Sequence, residues 1–422
     1  MDERVFVIVG ASLAGAKAAE ELRAAGFTGR IVLVGEETER PYERPPLSKG
    51  YLHGKDDRDK AFVHDAAWYG ENKVELLLGV RATALDLATR TVTLDGYEPL
   101  RYDALLLATG STVRRLAVPG ADLAGVRYLR RLPEADALLA DLRETRPDGP
   151  ARVVVVGAGW IGLETAAAAR EHGASVDVVE LDTLPLRRVM GDEVAAVYAA
   201  LHRAHGVTFH FQAGVAEFRG SGGRLTSVVL ADGTELPADL AVVGVGISPA
   251  DELARDGGLA VDNGVLTDAG LRTSDPHVYG AGDVVNVDSP LLGRRIRVEH
   301  WANALNGGKA AAHAMLGEQV SYDRVPYFFS DQYDLGMEYS GYAEPGGYDG
   351  VVFRGDPSIV DGKAPEFLAF WVSGGRVLAG MNVNIWDVTD AIQELVRAGY
   401  AGRTVDTAKL ADPAVPLADL LG

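Results

Sequence analysis

Two short glycine patterns are the parts of this chain whose residue types and spacing point to chemistry. Gly10-Ala11-Ser12-Leu13-Ala14-Gly15 follows the apolar run Val5 to Val9 and leads into an alanine-rich helical stretch, Ala16 to Ala25. Gly157-Ala158-Gly159-Trp160-Ile161-Gly162 follows four valines, Val153 to Val156, and leads into a helical stretch from Leu163 to His172. A second apolar run comes next in each case, Ile31 to Val34 and Val176 to Val179, ending at Glu36 and Glu180. Strand, glycine turn, helix, strand and acid in that order form a βαβ unit that binds a dinucleotide. The first glycine makes the tight turn, and the second lets a pyrophosphate approach the backbone at the positive helix end. The third lets helix and strand pack closely, while the acid accepts hydrogen bonds from an adenosine ribose. In the first copy Ser12 stands where the middle glycine belongs; it is small, and its hydroxyl can donate to phosphate. Two dinucleotide sites are therefore expected. One is built on Gly10, Ser12, Leu13, Ala14, Gly15 and Glu36, the other on Gly157, Gly159, Trp160, Ile161, Gly162 and Glu180.

Elements must hold those turns in place. The all-apolar strands suit a parallel sheet buried on both faces. Between the two turns Ala104 to Leu107 reads as a strand running into Ala108-Thr109-Gly110, and after the second turn Ala241-Val242-Val243 runs into Gly244-Val245-Gly246. Val278-Tyr279-Gly280-Ala281-Gly282-Asp283 ends a further strand, behind a turn-rich stretch. From Val325 the pattern changes to short strands of mixed polarity with many aromatics, which predicts an antiparallel sheet with a helix near Thr389 to Ala398.

The chain has 422 residues and no cysteine. That length gives ample chain for about three domains at roughly 150 residues each. Without thiols the chain holds no disulfide framework, no Cys-ligated zinc and no iron–sulfur cluster, and no metal site is expected. The net charge is −19, so nucleic acid is not an expected partner. No segment reads as membrane-spanning, because the best apolar stretch, from Val153, carries three glycines and soon meets Glu164. The amino terminus enters a strand pattern at Arg4 with no signal-peptide architecture before it. A cytoplasmic protein is expected, with no membrane partner.

The two fingerprints, with Ala108-Thr109-Gly110 and Gly280-Ala281-Gly282-Asp283, resemble the glutathione-reductase-type flavoproteins. Within that superfamily, Arg40-Pro41-Tyr42-Glu43-Arg44-Pro45-Pro46-Leu47-Ser48-Lys49 looks like the flavin-facing loop of oxygenase-coupled ferredoxin reductases of the putidaredoxin-reductase type. The likeness continues in Tyr128-Leu129-Arg130, Gly162-Leu163-Glu164, Val298 to Ala304 and Ser330-Asp331-Gln332-Tyr333. The aromatic before Ser330 is Phe329, where several relatives carry tryptophan. The resemblance implies an α/β fold with two Rossmann-like domains, one for FAD and one for NAD, the second inserted in the first, and a C-terminal α+β interface domain. The expected boundaries are 1–111 and 242–324 for FAD, 112–241 for NAD and 325–422 for the last domain.

The resemblance also carries roles. Arg44, Pro45, Lys49, Ala82, Ala108, Thr109, Gly110, Arg130, Gly282, Asp283, Glu299, His300 and Trp301 would join the FAD site, and Glu164, Arg188, Gly244 and Gly246 the NAD site. Asp283 would hydrogen-bond the ribityl or pyrophosphate region, and the helix opening at Trp301 would turn its positive end to the flavin's pyrimidine edge. His300 is expected to be a surface or packing residue. Lys49 and Glu164 are the expected catalytic pair: a lysine near flavin N5 favours the electron-rich reduced ring, and a carboxylate holds its ammonium in place. They would pair across the two nucleotide domains. Glu180 favours the ribose 2′-hydroxyl of NADH over the 2′-phosphate of NADPH, although Arg187 and Arg188 lie close behind. Disulfide reductases of this superfamily relay electrons through cysteines; with none here, electrons would leave the flavin directly. The implied acceptor is an iron–sulfur ferredoxin on a separate chain, serving a haem monooxygenase or ring-hydroxylating dioxygenase, with the reductase a monomer or homodimer. Arg294, Arg295, Arg297 and Lys309 are candidates to receive it. A rubredoxin reductase, an NADH oxidase or dehydrogenase, and a flavin-based redox sensor are the alternatives.

Overall fold

The structure, a computed structural model, describes residues 2–146 and 149–421. The chain packs as two compact units: Met1–Glu43, Arg58–Thr112 and Ile247–Pro326 form the first; Arg44–Asp57, Val113–Gly246 and Tyr327–Gly422 form the second.

The first unit is built on a five-stranded sheet in the order Val278–Gly280, Ala104–Leu107, Val5–Val9, Arg30–Gly35, Val74–Leu78. Every pair in it is parallel. Phe6–Val9, Ile31–Gly35 and Ala104–Leu107 in its central strands are apolar and buried, as expected when helices cover each side of a parallel sheet. The helices Leu13–Ala24 and Trp301–Met315 pack closely on each other. Gly308 permits that approach, since a Cβ there would stand 2.2 Å from the Ala14 carbonyl oxygen.

The second unit repeats the plan. Its parallel sheet runs Val207–Phe211, Ser175–Glu180, Arg152–Val156, Leu240–Val243, Val126–Arg127. The registers match between the units: Val9 lies opposite Val34 and Leu107, and Val156 opposite Val179 and Val243. Leu240–Val243, inside which the sequence places a domain boundary, belongs wholly to this sheet, and the unit runs on to Gly246. Tyr327–Gln332, Leu335–Gly341, Arg376–Val383, Phe367–Ser373 and Gly350–Gly355 make an antiparallel sheet in that order. The helix Thr389–Tyr400 packs on it with Ile392, Leu395 and Val396 buried. The α/β class, the doubled nucleotide-binding plan and the closing antiparallel sheet all agree with the sequence.

Arg44–Asp57 is the departure. It was expected with the first nucleotide-binding domain, yet it packs in the second unit, so Lys49 and Glu164 meet within one unit. Polar anchors explain this. Ser48 and Lys49 bond to Glu164, Tyr51 donates to Asp136, and the His172 imidazole bonds the Leu52 carbonyl.

Candidate functional site

Both glycine turns are shaped by backbone that leaves no room for a side chain. Gly10 has φ +121°, and a Cβ on it would lie 2.0 Å from the Ala108 carbonyl oxygen. Gly157 has φ +98°, and its Cβ would lie 2.4 Å from the Gly244 carbonyl oxygen. Ala108 and Gly244 are thus matched positions, each just past the strand that flanks the turn. A Cβ on Gly15 or Gly162 would likewise lie 2.1 or 2.0 Å from the carbonyl oxygen of Gly10 or Gly157, so each helix starts directly on its turn.

Neither helix is capped by a side chain. Ser12 precedes Leu13–Ala24 and Gly159 precedes Trp160–Glu171, both in extended conformation and without a side-chain capping bond. The first N–H groups of each helix are left for an anion at the positive end of the dipole. The Ser12 hydroxyl is likewise not spent on its own helix, and nothing lies within 4 Å of the place a Cβ would take on Gly159. This donor set suits a pyrophosphate at each turn, as FAD and a nicotinamide dinucleotide require.

The acids at the strand ends differ. Glu36 is half exposed, 4.0 Å from Arg81. Glu180 is tied into its own turn: one carboxylate oxygen accepts from the Ala158 N–H at 2.6 Å and the other from the Asp182 N–H at 2.9 Å. Arg187, close behind, is held by Asp182 at 3.1 Å and by Asp192. Arg188 is exposed and has no ion-pair partner among the described residues. Trp160 offers its backbone to the turn, while its ring packs edge-on against Tyr198 and Phe328, at 5.5 and 5.1 Å. Ile161 is exposed at the mouth of that helix. Gly246, with φ +103°, accepts from the Arg114 N–H as the strand leaves the sheet.

In the first unit, Thr109 donates to the Ala250 carbonyl at 2.7 Å, next to Gly110 at φ +71°. Gly282 and Asp283 form a single helical turn, with Gly282 against Ala14. The helix Trp301–Met315 opens after His300 with no side-chain cap, leaving its positive end available. The Trp301 indole donates to Glu43 at 2.9 Å, and Glu299 pairs with Arg297. Burial pushes the His300 imidazole down to about 4, so it stays neutral and is no acid at neutral pH. Ala82 opens a short strand, paired with Leu94, two residues after Val80 donates to the Gly35 carbonyl beside Glu36. Among the four basic candidates for a partner, Arg297 is neutralised by Glu299, and Arg295 reaches the Thr267 and Asn286 carbonyls.

The Lys49–Glu164 pair is the most strongly built feature of the second unit. Glu164 is 1% exposed on the nucleotide-turn helix. It accepts from the Lys49 ammonium at 2.8 Å, the Ser330 hydroxyl at 2.7 Å and the Ser48 hydroxyl. Lys49 follows a single 3₁₀ turn, Pro45–Ser48, pre-formed by its two prolines. The Arg44 guanidinium donates to the Arg130 carbonyl at the start of that turn. The ammonium also stands 5.2 Å from the Phe329 ring centre. A buried carboxylate held by three donors fixes the ammonium beside it. Sequence reasoning singled out Lys49 and Glu164 but gave no role to Ser48, Ser330, Gln332 or His202, all fully buried polar residues of the same unit. The available signal was Ser330 and Gln332 two apart on a strand, hence on one face.

Residues 4–308 match the pyridine nucleotide-disulphide oxidoreductase family, and residues 327–421 the reductase C-terminal family. The chain is 40% identical over 417 residues to the anthranilate 1,2-dioxygenase system ferredoxin–NAD(+) reductase component of Burkholderia cepacia, covering 99% of each chain. It is 37% identical over 383 residues to the putidaredoxin reductase CamA of Pseudomonas putida, covering 90% of this chain and 88% of that one. Among solved structures, the reductase in the covalent putidaredoxin reductase–putidaredoxin complex superposes with a TM-score of 0.91 at 35% identity, covering 100% of this chain and 98% of that one. The ferredoxin reductase for the CYP199A2 system from Rhodopseudomonas palustris matches at 0.91 and 34%, covering all of both chains.

Proposed function

The chain belongs to the pyridine nucleotide-disulphide oxidoreductase family, and from that premise we propose that it is an FAD-dependent, NADH-oxidising ferredoxin reductase that serves an oxygenase. When bound, FAD and NADH supply the redox chemistry, in which one hydride leaves NADH and its two electrons go singly to two ferredoxins, with NAD+ and one proton released. The chain's own residues bind and orient. Gly10, Ser12 and the first turn of Leu13–Ala24 would hold the FAD pyrophosphate, with Glu36 on the ribose. Gly157, Gly159 and the first turn of Trp160–Glu171 would hold that of NADH, with Glu180 on its ribose. Lys49 would keep its proton at Nζ through Glu164 and present a fixed positive charge to the reduced ring.

One observation carries this reading: a buried Glu164 that accepts from Lys49 and two serines, in a chain with two dinucleotide turns and no cysteine. With no thiol to form a relay, this chain has no covalent route for the electrons. The oxygenase that receives them is a haem monooxygenase or a ring-hydroxylating dioxygenase, and the reductase works in the cytoplasm as a monomer or homodimer. No helix among the described residues is long and apolar enough to cross a membrane. Two measurements test the reading. NADH oxidation by the purified holoenzyme is followed with ferredoxin, rubredoxin, quinone and oxygen in turn; turnover with ferredoxin is expected, and turnover only with another acceptor overturns the assignment. In stopped flow, Lys49→Met is expected to slow hydride transfer at least tenfold, about the loss of one charged hydrogen bond. An unchanged rate removes Lys49 from the chemistry.

A further inference from the structure

Behind the Lys49–Glu164 pair runs a chain of buried hydrogen bonds that the reaction as described does not use. The Ser330 hydroxyl meets Glu164 at 2.7 Å, and the Gln332 amide meets the Ser330 oxygen at 3.1 Å. His202 Nε2 meets the Gln332 carbonyl oxygen at 2.8 Å, and the Tyr333 hydroxyl meets His202 Nδ1 at 3.3 Å. His202 comes from the helix Arg187–Ala204, and Ser330 and Gln332 share one face of the strand Tyr327–Gln332. Glu164, Ser330, Gln332 and His202 are each at most 1% exposed.

The chemistry of the groups fixes the direction of every link. Ser330 has one proton, and it goes to the Glu164 carboxylate oxygen. Gln332 must therefore turn its NH₂ towards the Ser330 oxygen and its carbonyl oxygen towards His202. That oxygen requires a donor, so His202 carries its proton on Nε2. Burial pushes His202 down to about 4, so the ring is neutral, and its bare Nδ1 takes the proton offered by Tyr333. All donors point towards Glu164.

We infer that Ser330, Gln332 and His202 are positioning residues for hydride transfer, a one-way relay that orients the Glu164 carboxylate and through it holds Lys49. The inference rests on the reading of Lys49 above. It accounts for the polar alternation of Ser330-Asp331-Gln332, whose inward members would be cheaper as apolar residues if packing were their only task.

The test uses full-length protein. Nitrogen NMR of the holoenzyme is expected to show His202 as the neutral Nε2–H tautomer, and Gln332→Leu is expected to shift that resonance. A His202 proton on Nδ1 overturns the relay. With the holoenzyme, Ser330→Ala and Gln332→Leu are expected to slow hydride transfer roughly tenfold with the NADH dissociation constant unchanged, the loss of one buried hydrogen bond. Ser330→Thr, which keeps the hydroxyl, is expected to restore the rate to within about twofold. If Lys49→Met is slow while Ser330→Ala and Gln332→Leu run at the wild-type rate, the relay falls and the reading of Lys49 stands. If Lys49→Met is unimpaired, that reading falls first. Equal losses in Ser330→Thr and Ser330→Ala assign the effect to packing and overturn the inference.

Discussion

At Glu180 and Arg187 the difference between two nucleotides comes down to which charges are already spent. Glu180 uses both carboxylate oxygens on backbone N–H groups of its own loop, so its position is set before any ribose arrives. Arg187, the guanidinium best placed in sequence to greet a 2′-phosphate, is shared by Asp182 and Asp192. A preference for NADH would then rest on a carboxylate that repels phosphate and on two more that occupy Arg187, while Arg188 stays exposed beside them. The double change Asp182→Asn and Asp192→Asn is expected to free Arg187 and raise kcat/KM for NADPH relative to NADH by about tenfold, the scale of one charged hydrogen bond. An unchanged ratio would show that Arg187 does not reach the nucleotide. The sequence made Glu180 and the arginine pair legible because a fingerprint fixes where the acid must fall. It left the partners of Arg187 hidden, since which of four nearby carboxylates takes a guanidinium depends on the loop's path. The relay behind Glu164 was hidden for a harsher reason: with the Lys49–Glu164 pair it serves, its members come from four distant segments, and no local spacing joins His202 to Gln332.

Helices and strands show the reverse balance. The apolar runs, the glycine turns and the change of period at Val325 placed nearly every nucleotide-binding element, because burial on both faces of a parallel sheet leaves few sequences possible. What escaped was the allegiance of a segment without regular structure, Arg44–Asp57, decided by polar anchors instead of periodicity. The helices Leu13–Ala24 and Trp301–Met315 are joined by such an anchor. His313 lies between Glu21 at 3.0 Å and Glu318 at 2.9 Å. Burial works against its charge, but the two carboxylates outweigh that and hold its pKa above the ordinary histidine value. A group whose folded pKa is raised stabilises the fold fully below its unfolded value, about 6.5, and loses that contribution as pH rises through the folded value. The urea midpoint of His313→Gln should therefore fall below wild type at about pH 6 and converge with it at about pH 9. A gap that is the same at both would mean that the imidazole acts by shape and not by charge.

For the molecule as a whole, a net charge of −19 opposes approach by an acidic ferredoxin, so docking must rely on whatever local cations remain. Pairing with Glu299 removes Arg297 from that set, whereas the Arg295 guanidinium reaches backbone carbonyls and keeps its charge for a partner, with Lys309 as a further candidate. Ferredoxin reduction at limiting ferredoxin should slow as salt shortens the Debye length from about 30 Å to about 8 Å. A rate that holds steady, or climbs, would mean that these cations do not guide the encounter. A different consequence follows from the two glycine turns, which share their register and their contacts with Ala108 and Gly244 but diverge at one place. The space beside Gly159 is open, whereas the corresponding site in the first turn is filled by the Ser12 side chain. For inhibitor design that single asymmetry is a handle: a diphosphate mimic with added bulk at its bridge is expected to be accepted beside Gly159 and turned away at Ser12. It would block nucleotide exchange while sparing the resident prosthetic group.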